Sequence, residues 1–300
     1  MSLLTSTAGA ITTPDNASDG RGPRESQISI VASMAFMLAL LVYFLLPVYV
    51  LVVAATKEQT QLASSSGMVP GGSFFANMGE LFSQQNGIYL KWLLNSVVYA
   101  VGGAAVGTLL AAMAGYALAK YRFRGREFLF NVVLGGVLMP ATALALPLFL
   151  IFTKVHLTNS YWAVLLPSIV SPFGVYLSRI FAGASVPDEL IEAGRLDGSG
   201  EFRIFFSIST RLMAPALVTI FLFQFVAIWN NFFLPLVMLQ DQGLYPVTLG
   251  LFSWQSQISR VPLLQSLVIA GAVVAVVPLI VMFLSLQRFW RGGLSTGSIK

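Results

Sequence analysis

Residues 185–217 read SVPDELIEAGRLDGSGEFRIFFSISTRLMAPAL. Asp188, Glu189, Glu192, Arg195, Asp197, Glu201, Arg203 and Arg211 fall inside this one connection, eight of the 29 charged residues in the chain. On either side the sequence is almost free of charge. The 300 residues are 56% hydrophobic and only 10% charged, with a mean hydropathy of +0.80. Water-soluble domains run at about 45–50% apolar and about 25% charged. The island therefore joins segments that live in hydrocarbon. Its reading decides the fold: an all-α polytopic membrane protein with one polar docking connection.

Outward from the island, apolar stretches of about 20 residues recur, each long enough to cross about 30 Å of hydrocarbon as a helix. The first, 28–56, contains Pro47 and is too long for the ~7–15 apolar residues of a cleavable signal. It follows a polar segment, 1–27, that reads as a flexible tail. The second covers about 92–118, the third about 128–153 with Pro140 and Pro147, and the fourth about 161–183 with Pro167 and Pro172. The fifth runs over about 212–239 and the sixth over about 264–287. The expected domain organisation is a tail, 1–27, and a six-span domain, 28–300.

Six spans put both termini on one side. That side then holds Arg21, Arg24, Lys120, Arg122, Arg124, Arg126, Arg179, Arg195, Arg203, Arg211, Arg288, Arg291 and Lys300. The other side holds Lys57, Lys91, Lys154 and Arg260. Lysine and arginine accumulate on the cytoplasmic side of membrane proteins, so the termini and the island are expected in the cytoplasm. The same asymmetry accounts for the net charge of +5 without nucleic acid, for which no basic, aromatic-interleaved patch is present. No cysteine and a single histidine, His156, exclude disulfides and make a histidine metal site untenable.

The span interiors are expected to carry no Asp, Glu, Lys, Arg or His. Ion-driven carriers need ionisable groups in the bilayer, although backbone carbonyls at broken helices can bind Na⁺. If the chain moves a solute uphill, the energy enters from outside the bilayer. A scaffold or receptor subunit that transports nothing fits the same composition, and an ion-coupled carrier fits it less well. Uncharged polar residues do occur: Asn95, Asn131, Ser171 and the group Gln224, Trp229, Asn230 and Asn231. Amides beside an aromatic ring suit a polyhydroxyl solute, because hydroxyls need donors and acceptors while sugar faces stack on rings. The same residues equally serve as interhelical hydrogen bonds or an interface belt. Gly103, Gly107, Ala111 and Gly115 make a smooth stripe for close helix packing.

Within the island, Ser185 is positioned to cap a helix with Asp188 three residues on, and Pro187 suits a first turn. Asp188 and Glu189 favour the positive end of the helix dipole. The helix is expected to end at about Leu196 and stop at Gly198, with Gly200 admitting a new helix from Glu201. A helix of about ten residues is marginal alone in water. It needs a surface to rest on, in this chain or in another subunit, unless it is merely a solvated loop with ordinary caps.

Glu192-Ala193-Gly194, Asp197-Gly198-Ser199, Phe202, Phe206, Ile208 and Pro215 together resemble the "EAA" loop of ABC importer permeases. The resemblance is to the carbohydrate, maltose-transporter-like branch. It extends through Asn95-Ser96, Tyr116–Gly125, Pro187–Leu190, Trp229-Asn230-Asn231-Phe232 and the tail Gln287–Gly297. It implies a type I ABC importer permease architecture with six spans and a short cytoplasmic coupling helix, in a bacterial or archaeal cytoplasmic (inner) membrane. It further implies four kinds of partner besides membrane lipid: a second permease, by family pattern a different chain; two ATP-binding subunits; an extracytoplasmic solute-binding protein; and a sugar substrate. By this resemblance Asp188, Glu189, Glu192, Ala193, Asp197 and Gly198 form the ATPase-coupling set. Glu192 would pair with a basic group in the ATPase cleft, and Gly198 would allow the turn beneath it. Gln224, Trp229, Asn230 and Asn231 are the substrate-path candidates. Catalysis would belong to the partner, since no G-x-x-x-x-G-K-[ST] loop is present and no cofactor is implied. The chain departs from the family pattern with Gly194 and Ser199 where Ala is usual, and with Thr210-Arg211 where Leu-Pro is usual.

Overall fold

A computed structural model describes residues 27–64 and 67–294. The expected tail over 1–27 therefore lies outside the described residues except for Gln27. Every described element is helical: α1 (Gln27–Ala55), α2 (Gln59–Ser64), α3 (Phe74–Ser83), α4 (Ile88–Val97), α5 (Gly103–Lys120), α6 (Arg126–Leu138), α7 (Ala141–Lys154) and α8 (Tyr161–Ser168). There follow α9 (Pro172–Ser185), α10 (Asp188–Leu196), α11 (Glu201–Ile204), α12 (Thr210–Leu212), α13 (Ala214–Trp229), α14 (Phe233–Met238), α15 (Val247–Gln255) and α16 (Leu264–Leu294). An all-helical chain follows from its solvent. Hydrocarbon offers the backbone no hydrogen bonds, so each spanning segment must satisfy its own.

The chain divides into two units, Met1–Tyr49 and Val50–Lys300. The described part of the first is the run of α1 up to Tyr49, whose side chains from Ser29 onward are exposed, Met37 and Tyr43 to about 70%. Such a helix has the length and apolarity to cross a membrane. In the second unit, Ile88–Lys120, Tyr161–Ser185 and Leu264–Gln287 pass the same test without a bend above 40°. Two further segments are bent pairs: α6 with α7 at 104°, and the α11–α12 stretch with α13 at 83°. Six spans result when each bent pair is counted as one.

The bends refine the expected third and fifth spans. Pro140 holds φ −62° and ψ 123° and pushes Met139 before it to extended φ −76°, ψ 125°, so the helix stops and restarts. At the fifth span, Met213 (φ −85°, ψ −1°) precedes Pro215, which sits in the first turn of α13 and donates no N–H. Helix α13 then ends at Trp229, ten residues short of the expected limit. One further amendment concerns charge. Arg179 lies inside α9, where its guanidinium pairs with Glu127 of α6 at 2.7 Å and covers the Phe130 ring at 3.9 Å.

The glycine stripe packs as the spacing predicts. A Cβ at Gly115 would fall 2.4 Å from Ser178 Cβ and 2.7 Å from the Arg179 nitrogen of α9. At Gly107 it would fall 2.0 Å from Gln224 Nε2 of α13. Helix α5 is thus the element against which α9 and α13 close. The larger core lies beyond the other end of α5, around Trp92, Tyr99, Trp229 and Trp254. There the α4 face holds the segment 242–247. Trp92 donates to the Gln242 carbonyl (2.8 Å), Asn95 to those of Gly243 and Tyr245 (2.9 and 3.1 Å), and Tyr99 to that of Leu244 (2.9 Å). Tyr161 in turn donates to Asn95 Oδ1 (2.8 Å).

Replacing Asn95 by leucine strands the Gly243 and Tyr245 carbonyls, the first of them buried, and takes the acceptor from the half-buried Tyr161 hydroxyl. The loss is expected to be about 2–4 kcal/mol, at about 1–3 kcal/mol per unmet buried group. Thermal unfolding in mild detergent measures it, and a melting point equal to that of the unaltered chain would refute the ladder's structural weight.

Candidate functional site

Two places stand out: the helix at the charged end of the bundle, and a concavity midway along it. Helix α10 begins at Asp188 with Pro187 extended before it (φ −65°, ψ 139°). Ser185 does not cap it. That serine is the last residue of α9, and Val186 (φ −111°, ψ 104°) separates the two helices. The capping box read from the sequence therefore does not form, and Asp188 is drawn elsewhere. Its carboxylate accepts from Lys120 Nζ at 2.7 Å. At the other end Asp197 is the C-cap residue, and Gly198 takes φ +77°, the left-handed conformation expected of it. Gly200 precedes α11, also as expected.

Helix α10 rests on its own chain through Ile191 and Gly194, which are buried. A Cβ at Gly194 would approach Ile204 Cγ1 to 3.1 Å, so glycine in place of the family's alanine lets the Ile204 side chain sit close. Thr210, in place of the usual leucine, donates to the Phe206 carbonyl at 2.8 Å. The opposite face of α10 is bare. Glu189, Glu192, Ala193 and Asp197 are exposed, and Leu196 is 89% exposed. Among the described residues Glu189 and Glu192 make no side-chain hydrogen bond or ion pair. The structure therefore brings the six expected coupling residues onto one short helix and its terminator, and presents four of them unencumbered.

The charged end is tied together by contacts the sequence reading did not foresee. Arg195 Nε donates to Glu201 Oε1 at 2.7 Å, and Tyr121 donates its hydroxyl to Glu201 Oε2 at 2.8 Å. The hydrogen bond from Arg195, then that from Tyr121, holds the Glu201 carboxyl below the ordinary carboxylate range. Lys120 does the same to Asp188. Burial and the neighbouring carboxylate push the Tyr121 phenol up, so it stays protonated and can donate. No local signal betrays the Lys120–Asp188 and Tyr121–Glu201 pairs, whose partners lie 68 and 80 residues apart.

The midway concavity consists of two adjoining hollows of about 590 and 680 Å³. Ser168, Pro172, Phe173, Ala227, Asn231 and Phe233 line both, while Gln224, Asn230 and Ser171 line the first. Gln224 is buried and donates from Nε2 to the Ser168 carbonyl at 2.9 Å. Its Oε1 and the Ser168 hydroxyl have no hydrogen-bond partner among the described residues. Asn231 accepts from the Leu234 nitrogen through Oδ1, and Asn230 donates to the Val226 carbonyl. Trp229 does not line the hollow. It is 2% exposed and stacks on Phe225 at 5.6 Å, so its role here is packing. Three of the four substrate-path candidates thus converge, joined by Ser168 and Ser171, which the sequence reading did not pair with them. No group of three or more His, Cys, Asp or Glu able to hold a metal occurs among the described residues.

Residues 107–292 match the family described as "Binding-protein-dependent transport system inner membrane component". The chain is 34% identical over 281 residues to the arabinooligosaccharides transport system permease protein AraQ of Bacillus subtilis (strain 168), covering 93% of this chain and 98% of that protein. It is 30% identical over 280 residues to the lactose transport system permease protein LacG of Rhizobium radiobacter, covering 93% and 97%. In fold it resembles a chain of a bacterial ABC transporter involved in import of the acidic polysaccharide alginate. The TM-score is 0.77 at 19% identity, with 88% of this chain and 97% of that chain covered.

The carboxylates at the charged end predict a definite pH dependence. Asp188 and Glu201 sit below the ordinary carboxylate range in the folded protein. Their stabilisation is complete above the unfolded value of about 4 and is lost as pH falls through the folded values. Thermal stability should be level on this account from about pH 5 to 8 and fall below about pH 4. The pair Asp188→Asn with Glu201→Gln should flatten that acid decline. An identical decline in the variant would show that other groups cause it.

Proposed function

This chain belongs to the binding-protein-dependent transport system inner membrane component family, and from that premise we propose that it is the permease subunit of an ATP-driven importer of a sugar or oligosaccharide. The observation that carries the reading is the bare acidic face of α10. A short helix seated on its own protein by one face, with Glu192 and Glu189 exposed on the other and unpaired among the described residues, has the form of a plug for a basic cleft in another subunit. Relatives named as permeases for arabinooligosaccharides and lactose support a carbohydrate solute.

In this reading α10 docks in an ATP-binding subunit, and the bilayer part contributes no chemistry of its own. Two such subunits and a second, different permease complete the path, and an extracytoplasmic binding protein delivers the solute. The excess of Lys and Arg on the α10 side supports a cytoplasmic location for that end and for both termini. The solute passes the hollow beside α13. Its walls are apolar rings, Phe173, Phe223 and Phe233, interrupted by the Gln224, Asn231 and Ser168 polar groups. Hollows of 300–1,000 Å³ with few polar groups on an apolar lining suit small solutes. Orphaned acceptors such as Gln224 Oε1 can be satisfied by a passing hydroxyl.

Glu192→Lys tests the docking role. It should reduce sugar uptake by reconstituted vesicles to background, because a reversed charge faces the cleft, while insertion and thermal stability stay normal. Uptake at the unaltered rate would remove α10 as the coupling element.

A further inference from the structure

Lys120 and Tyr121 are consecutive, yet they reach opposite ends of the coupling segment. Lys120 closes α5, and its side chain, only 8% exposed, points Nζ at Asp188 in the first turn of α10. Tyr121 follows as the C-cap residue of α5 and donates to Glu201, which also binds Arg195 in the last turn of α10. The Tyr121 ring is fixed in turn by edge contact with Tyr116, one α5 turn earlier, at 5.8 Å.

We propose that Lys120 and Tyr121 are positioning residues that lock α10 to the end of α5, so that the two move as one lever and displacement of α10 reaches the wall of the solute hollow through Gly107 and Gln224. The inference rests on the importer reading above and adds the route by which force travels.

The mechanical reason is in the connections. Helix α10 is joined covalently to α9 only through the extended pair Val186-Pro187, and to α11 only through the turn at Gly198. Each joint is a hinge, and a hinge transmits translation while leaving orientation to the surrounding contacts. A contact from Lys120 to Asp188 in the first turn of α10, and one from Tyr121 to Glu201 of α11, which itself holds Arg195 in the last turn of α10, remove that freedom. Helix α5 has no internal proline and runs unbroken from Lys120 to Gly103. Gly107 lies about 20 Å from Lys120 along it, at roughly 1.5 Å per residue. There the Gln224 amide lies against the bare glycine, closer than any side chain would allow. A shift of α5 must therefore move Gln224, and Gln224 lines the hollow. The alternative path through α11 and α12 to α13 is bent by 83° at Met213.

Each exposed contact is weak alone, so the test removes both without removing the side-chain bodies. Tyr121→Phe keeps the ring against Tyr116, and Lys120→Met keeps the buried stem. With no cysteine in the chain, spin labels placed at Leu196→Cys on α10 and Leu110→Cys on α5 are unique. Their distance distribution should be narrow in the chain with Lys120 and Tyr121 and broad in the double variant, in detergent and without partners. Equal widths would overturn the clamp whatever the protein transports. In the complete reconstituted complex, solute moved per ATP hydrolysed should fall at least about fivefold in the double variant, the scale of a real coupling free energy. Basal hydrolysis and subunit co-purification should be unchanged. A broadened distribution with an unaltered ratio would overturn the lever while leaving the contacts structural. Absence of ATP-driven uptake by the unaltered complex would overturn the importer reading and be distinguishable from both.

Discussion

Close backbone approach along one face of α5 is the constraint on which the other features depend. Gly103, Gly107 and Gly115 leave that face without side chains where α9 and α13 cross it. Helices in hydrocarbon gain nothing from hiding apolar surface from lipid, so van der Waals contact between smooth faces has to hold them. The same face fixes two polar sites. At Gly107 it seats the Gln224 amide beside the hollow, and at its end it delivers Lys120 and Tyr121 to the charged connection. A bulkier α5 would displace both.

Charge is distributed by the cost of desolvation. Span interiors carry few, and Arg179, inside α9, is compensated by Glu127 and by the Phe130 ring. Charges that would be expensive in hydrocarbon gather where water reaches them, and there they become contacts. The acid groups on the inner side of the connection are committed to Lys120, Arg195 and Tyr121, while those on the outer side of α10 remain uncommitted. A single short helix thus has one face packed on this chain and one exposed. That division explains how nine residues too few to be stable in water hold their shape.

The opposite end of the second unit solves a different problem. The segment 242–247 has carbonyls to satisfy without a helix, and Trp92, Asn95 and Tyr99 on successive turns of α4 and its continuation meet them. Asn95 and Trp229 show how alike two polar positions look in sequence. Both stand in apolar surroundings beside other polar residues. One proves to be a hydrogen-bond hub for a loop, and the other a buried ring stacked on Phe225.

Composition and periodicity alone determined that the chain is helical, apolar and built to cross a bilayer, because those properties are set by local solvent demands that each stretch meets for itself. The end of α10 near Leu196, the left-handed turn at Gly198 and the smooth stripe were legible for the same reason, since glycine acts on its own neighbours. Tertiary structure decided the rest. It moved Ser185 out of the cap because α9 continues through it, broke the third and fifth spans at backbone positions that proline only biases, and excluded Trp229 from the hollow. It alone paired Lys120 with Asp188 and Tyr121 with Glu201. Those partners lie 68 and 80 residues apart, and nothing in either local stretch specifies the other until packing on α5 brings the ends together.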